Sequence, residues 1–130
     1  MKLDGIHHIG INVNDLDRAE IFYTNVLGFN VLERYDEKTR HSMLNTGKTK
    51  IHLFELTDLD SEDAITHLNE HSYAHIAFGT NREQFPKIIK ELNKHKIPFR
   101  GPLILGMGES IHLKDPDGNC LEIRCPADII

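Results

Sequence analysis

The stretch GIHHIGINV, residues 5–13, alternates in a way that decides the fold. Ile9, Ile11 and Val13 fall on one face of an extended segment, and His8, Gly10 and Asn12 on the other. An imidazole on the polar face of a half-buried strand, beside the small Gly10, has room around it for a ligand or an ion. One such histidine carries little weight, because most are solvated or hydrogen-bonded within the fold. The pattern returns, however, in SYAHIAFGT, residues 72–80. There Ala74, Ile76 and Phe78 share one face and His75, Ala77 and Gly79 the other.

The segments after each copy are repeated as well. After the first, Asn14 or Asp15 can cap a helix, with Asp17 in its first turn. Leu16, Ala19, Phe22, Tyr23, Val26 and Leu27 then recur at helical spacing up to Gly28. Three strand-like runs come next, FNVLERY, HSMLNT and KIHLFEL, with a turn at Gly47-Lys48. After the second copy, Phe85, Ile88, Ile89 and Leu92 mark a helix whose start is obscured by Pro86. KIPFRG, ESIHLKD and NCLEIRC supply three more strands, the last two joined by a DPDG turn, and GPLILGMGES reads as a loop.

The chain is therefore an α+β protein of two βαβββ modules. Module one covers about 1–57, an acidic, polar linker about 58–71, and module two about 72–130, together one domain of 130 residues. Neither module is large enough for a sound core of its own, so the halves are expected to pack together or exchange between chains.

Aligning the copies pairs His8 with His75, Asn14 with Asn81, and His52 in KIHLFE with Glu122 in NCLEIR. Three imidazoles and a carboxylate suit a divalent transition metal such as iron, nickel, cobalt, manganese or zinc. Four such ligands on an octahedral ion leave two positions for a bidentate substrate. Without His52, the set reduces to two histidines and one carboxylate. One carboxylate leaves the ion a net positive charge, which favours an oxygen-rich, anionic or enolisable ligand. Glu122 and His112 are the candidate catalytic groups, His112 as an acid or base sharing its strand with Ser110 and Lys114. His41, His67, His71 and His95 read as solvated residues of loops or helix ends.

Composition narrows the class. Hydrophobic residues make up 39% and charged ones 27%, the net charge is −5, and no lysine/arginine block stands out. That argues against a phosphate-tracking nucleic-acid surface. No apolar run approaches the ~20 residues of a membrane span, and MKLDGIHH lacks the apolar core of a signal peptide, so a cytoplasmic location is expected. Cys120 and Cys125 on one strand would lie about 16 Å apart, too far to bridge.

HHIGINVNDLDRAEIFYTNVLGF, YAHIAF and DPDGNCLEI together resemble the vicinal oxygen chelate superfamily, and the likeness covers nearly the whole chain. That superfamily includes glyoxalase I, methylmalonyl-CoA epimerase, extradiol dioxygenases, and fosfomycin and bleomycin resistance proteins. The resemblance implies paired modules with pseudo-twofold symmetry, forming an open, barrel-like cup with flanking helices around a metal, commonly in a homodimer. Its ligand positions map onto His8, His75 and Glu122, and the first module's last-strand position onto His52. Bacterial glyoxalase I usually has glutamate at that last position. Fosfomycin transferases carry threonine or cysteine where Gly10 stands, and continue past the final strand, whereas this sequence stops at Ile130. The expectation is a metal-dependent enzyme acting on a small oxygen-chelating substrate, with a lyase or isomerase favoured. An extradiol-type dioxygenase, or a binding protein that sequesters a small toxic ligand, are the alternatives.

Overall fold

The computed structural model describes residues 1–57 and 74–126. The expected linker, with His67 and His71, lies outside them. The chain divides into two compact units, residues 1–64 and 65–130.

In the first unit the alternating stretch forms β1 (His8–Val13), with Ile11 and Val13 buried and His8 and Gly10 exposed. Asp15 caps α1 (Leu16–Ile21), accepting a hydrogen bond from the Arg18 amide. The Leu16 amide donates to Glu55 Oε2 at 2.8 Å, so a second orphan donor of the helix start is satisfied from another strand. The helix continues as a π-turn over Phe22–Val26 and stops at Gly28, whose φ of 78° suits glycine. A meander comes next: β2 (Asn30–Asp36), β3 (Arg40–Asn45) and β4 (Lys50–Glu55). The sheet order is β1-β4-β3-β2, with β1 and β4 parallel and the other pairs antiparallel.

The second unit repeats this plan. β5 (Ile76–Gly79) precedes α2 (Phe85–Lys94), in which Pro86 occupies the first turn, where its missing N–H costs nothing. Then come β6 (Phe99–Leu105), β7 (Gly108–Lys114) and β8 (Cys120–Pro126). The order β5-β8-β7-β6 again sets the first and last strands parallel. The DPDG turn is closed by Asp115, which accepts from the amides of Asp117 and Asn119 and from the Asn119 side chain.

Three expectations need correction. GPLILGMGES is not a loop. Its first half completes β6, its second half begins β7, and only a tight turn at Gly106-Met107 separates them. His41 is not solvated; it lies half-buried in β3. The helix-start equivalence is shifted by one residue, because Asp15, not Asn14, does for α1 what Asn81 does ahead of α2, where its side chain accepts from the Gln84 amide. Cys120 and Cys125 are both free thiols, as their spacing required. Among the described residues no helix is long and apolar enough to cross a membrane.

Two buried polar residues, Glu20 and Ser42, interrupt the core of the first unit among the described residues. Glu20, on the buried side of α1, takes bonds from the Arg34 guanidinium, 2.8 Å to Oε1, and from the buried Ser42 hydroxyl. Burial opposes ionisation, but the bonds from Arg34 and Ser42 outweigh it and hold the Glu20 carboxyl below its usual 4.5. Its stabilising contribution is therefore fully present above 4.5 and is lost as pH falls through the lower folded value. Glu20→Gln should cost about 1–2 kcal/mol at neutral pH in urea denaturation, with the gap to the parent closing in strong acid. A gap that stays constant down to about pH 2 would contradict this assignment.

Candidate metal centre

The parallel pairs place the candidate ligands at equivalent points of the two sheets. On β4, His52 stands opposite Gly10, two residues beyond His8. On β8, Glu122 stands opposite Ala77, two residues beyond His75. The antiparallel neighbours complete the equivalence. Met43 faces His52 as His112 faces Glu122, and His41 faces Phe54 as Ser110 faces Arg124. Six pairs of positions thus correspond; His8 matches His75, and the other five pairs differ in residue type.

In the first unit four of these six positions hold rings. His8 stacks on His52 with centroids 4.2 Å apart. His41 lies between Tyr35 at 4.2 Å and Phe54 at 4.8 Å, both nearly parallel to it. Its Nδ1 lies 3.0 Å from the Thr39 carbonyl, which makes Nδ1 the donor. Phe54 also covers Gly10, where a Cβ would come within 3.2 Å of the ring. His7 is exposed, with its Nδ1 2.8 Å from that of His8. His52 Nε2 is buried and has no hydrogen-bond partner. Burial, then the neighbouring His8, His41 and His7 rings and Lys50, hold the His52 ring below its ordinary 6.5. A neutral imidazole with an unclaimed ring nitrogen is the form that binds a metal.

In the second unit five of the six hold hydrogen-bonding side chains. Glu122 is buried, with Oε1 2.9 Å from His75 Nε2 and 3.3 Å from His112 Nε2. Its Oε2 accepts from Ser110 Oγ at 2.7 Å. Arg124 Nη1 donates to the same hydroxyl at 3.0 Å. Burial raises the Glu122 carboxyl, but the bonds from Ser110 and His75 and the nearby His112 more than offset this, so it titrates below 4.5. A cleft of about 440 Å³ opens beside it, lined by Ala77, Phe78, Met107 and Arg124 among others. Its counterpart in the first unit, about 450 Å³, is lined by Asn12, Lys38, His41 and Phe54 among others.

The structure thus brings His8 to His52, and His75 and His112 to Glu122. Among the described residues no three His, Cys, Asp or Glu side chains form a ready metal-holding group. His95 sits at the end of α2, 3.4 Å from Glu91, as a helix-end residue. Sequence reading missed His41, Ser110 and Arg124. A signal existed, since each lies two residues along its strand from a position facing or holding a candidate ligand.

A sequence profile of the Glyoxalase/Bleomycin resistance protein/Dioxygenase superfamily matches residues 5–123. The chain belongs to that superfamily. Among curated relatives, metallothiol transferase FosB of Shouchella clausii is 31% identical over 94% of this chain and 80% of its own length. The FosB of Staphylococcus epidermidis is 29% identical over 95% and 83%. Among solved structures, the fosfomycin resistance protein FosX of Listeria monocytogenes superposes with a TM-score of 0.78 at 19% identity, covering 98% of this chain and 94% of that one. A glyoxalase/dioxygenase from Nostoc punctiforme gives 0.73 at 25% identity, over 96% and 92%. These superpositions bear out the α+β fold expected of two βαβββ modules.

The aromatic stack yields a direct expectation. In metal-free protein the His52 ring should titrate below 6.5, and Phe54→Ala, by admitting water, should move it back up. NMR of the histidine ring carbons against pH reads both values. An unshifted His52 in the parent would mean that the stack does not desolvate it.

Proposed function

We propose that this superfamily member is a metal-dependent enzyme acting on a small substrate that chelates through neighbouring oxygen atoms. His8, His52, His75 and Glu122 are the proposed ligands. The observation that carries the reading is the buried, unpartnered Nε2 of His52, on a ring held neutral at the register position that Glu122 occupies in the other module. An orphaned buried nitrogen is costly in a fold unless something binds it. The donor set, three imidazoles and a carboxylate, fits a divalent transition ion. A FosX variant solved with Mn(II) and 1S,2S-dihydroxypropylphosphonic acid illustrates such an ion in a protein of this fold.

When bound, the metal would act as a Lewis acid on the substrate oxygens. The reaction favoured by the curated relatives is transfer of a thiol to a small electrophile, in place of the lyase or isomerase expected from sequence alone. The chain's own groups suit that reading. Glu122 is fixed as an anion, so it serves as a ligand better than as a base. Arg124, lining its cleft, supplies positive charge for an acidic substrate group. A lyase or isomerase would need a separate proton shuttle, and His112, 3.3 Å from Glu122, is the residue proposed for that role.

The test combines metal binding with turnover. Glu122→Ala and His52→Ala should each weaken metal affinity by more than the ~10–100-fold typical of outer-shell changes. If His52→Ala binds as tightly as the parent while Glu122→Ala does not, the ligand set is the smaller one. Consumption of a low-molecular-weight thiol by the metal-loaded protein, in the presence of a small oxygen-bearing electrophile, separates transfer from methylglyoxal isomerisation and from catechol cleavage. Tight ligand binding without turnover, surviving metal removal, would instead favour sequestration. A homodimer is part of the proposal, supported by the exposed apolar tip formed by Leu103, Ile104, Leu105 and Met107. Light scattering should give twice the chain mass of 14.9 kDa.

A further inference from the structure

We infer that Ser110 is a positioning residue that fixes Glu122 so that only Oε1 is presented to the metal, a step that rests on the ligand reading above. A serine hydroxyl has one proton to give and lone pairs to receive with, whereas a guanidinium can only donate. The order of the chain is therefore forced: Arg124 Nη1 donates to Ser110 Oγ at 3.0 Å, and Ser110 Oγ donates to Glu122 Oε2 at 2.7 Å. Ser110 is fully buried, so no water competes for its proton. With Oε2 claimed and Arg124 a further 3.7 Å away, the oxygen left toward His75 is Oε1, at 2.9 Å.

Two further features hold the relay in place. The Arg124 guanidinium also donates to the Leu105 carbonyl, at the turn between β6 and β7. It lies against Gly108, where a Cβ would come within 2.6 Å of its central carbon; any side chain at 108 would displace it. Moreover, Ser110 and Arg124 occupy the register positions that His41 and Phe54 hold in the first unit. Both modules thus use the same two positions to prepare the residue at the third. Rings desolvate a neutral imidazole in one, and donors orient an anion in the other. A carboxylate without such donors could rotate to offer both oxygens, taking a position from the substrate.

Co(II) loaded into the full chain tests this. Ser110→Ala should weaken Co(II) affinity ~10–100-fold in competition with a chelator. It should also change the visible spectrum of the bound ion, as a second carboxylate oxygen replaces a solvent ligand. Arg124→Met, which keeps the serine hydroxyl, should fall between the parent and Ser110→Ala. Thermal melts of the metal-free proteins establish that each variant is folded. A folded Ser110→Ala with parental affinity and spectrum would overturn the inference. A parent that takes up no Co(II) or Mn(II) would instead overturn the ligand reading. Crystal structures of metal-free parent and Ser110→Ala then still decide the positioning role. Rotation of the Glu122 carboxylate in the variant supports it, and an unmoved carboxylate ends it.

Discussion

Parallel pairing of the first and last strands in each module is the constraint on which the rest depends. Parallel neighbours cannot be joined by a hairpin, so the chain must leave the sheet and return. Here the excursion consists of one helix and two antiparallel strands. The register of the return is set by burial. Ile9 and Ile11 lie beside Ile51 and Leu53, and Ile76 and Phe78 beside Leu121 and Ile123. A slip of one residue would turn these side chains outward and bring His52 and Glu122 into the core. The candidate ligands are therefore placed by the hydrophobic residues between them. His8, His52, His75 and Glu122 need no stabilising role of their own to stand where they do.

The two modules share this lattice but use it differently. In the first, a neutral ring is prepared by other rings, and the ionised Glu20 in the interior is satisfied away from the candidate ligands by Arg34 and Ser42. In the second, an anion is prepared by donors. The difference matches what each proposed ligand would need in order to bind a metal. An imidazole must lose its proton, which an apolar setting favours, while a carboxylate must keep its charge when buried, which requires hydrogen bonds. Replacing one set of neighbours by the other would reverse both effects.

Most of the fold was legible in the sequence because period-2 alternation and helical spacing report burial directly. Alternation alone assigns His8, Gly10, His75 and Ala77 to one face. The DPDG turn and Gly28 likewise announced themselves through turn and cap chemistry. The reading failed where a residue's role depends on its neighbour across the sheet. His41 looked like a loop histidine because HSMLNT gives no sign that Tyr35 and Phe54 flank it. GPLILGMGES looked like a loop because three glycines and a proline outweigh Leu103, Ile104 and Leu105 in local propensity. Pairing with β7 overrides that propensity. Ser110 was visible only as an alternating partner of His112, since cross-strand register, unlike periodicity, is not written in one segment.

The support around Glu122 bears on the kind of chemistry the second unit can perform. A carboxylate whose charge is stabilised by Ser110 and His75 is correspondingly less basic, and general-base catalysis is most effective when the base titrates near the working pH. Glu122 is tuned in the opposite direction. Proton abstraction from carbon, the demanding step of an isomerase, would then fall to His112, whose Nε2 is already directed at Glu122 and whose Nδ1 is buried without a partner. Thiol transfer would ask less of these residues, because a thiol loses its proton to solvent far more readily than a carbon acid does. The arrangement that would make Glu122 a good ligand thus makes it a poor base, which under the proposed function favours polarising a substrate over deprotonating one.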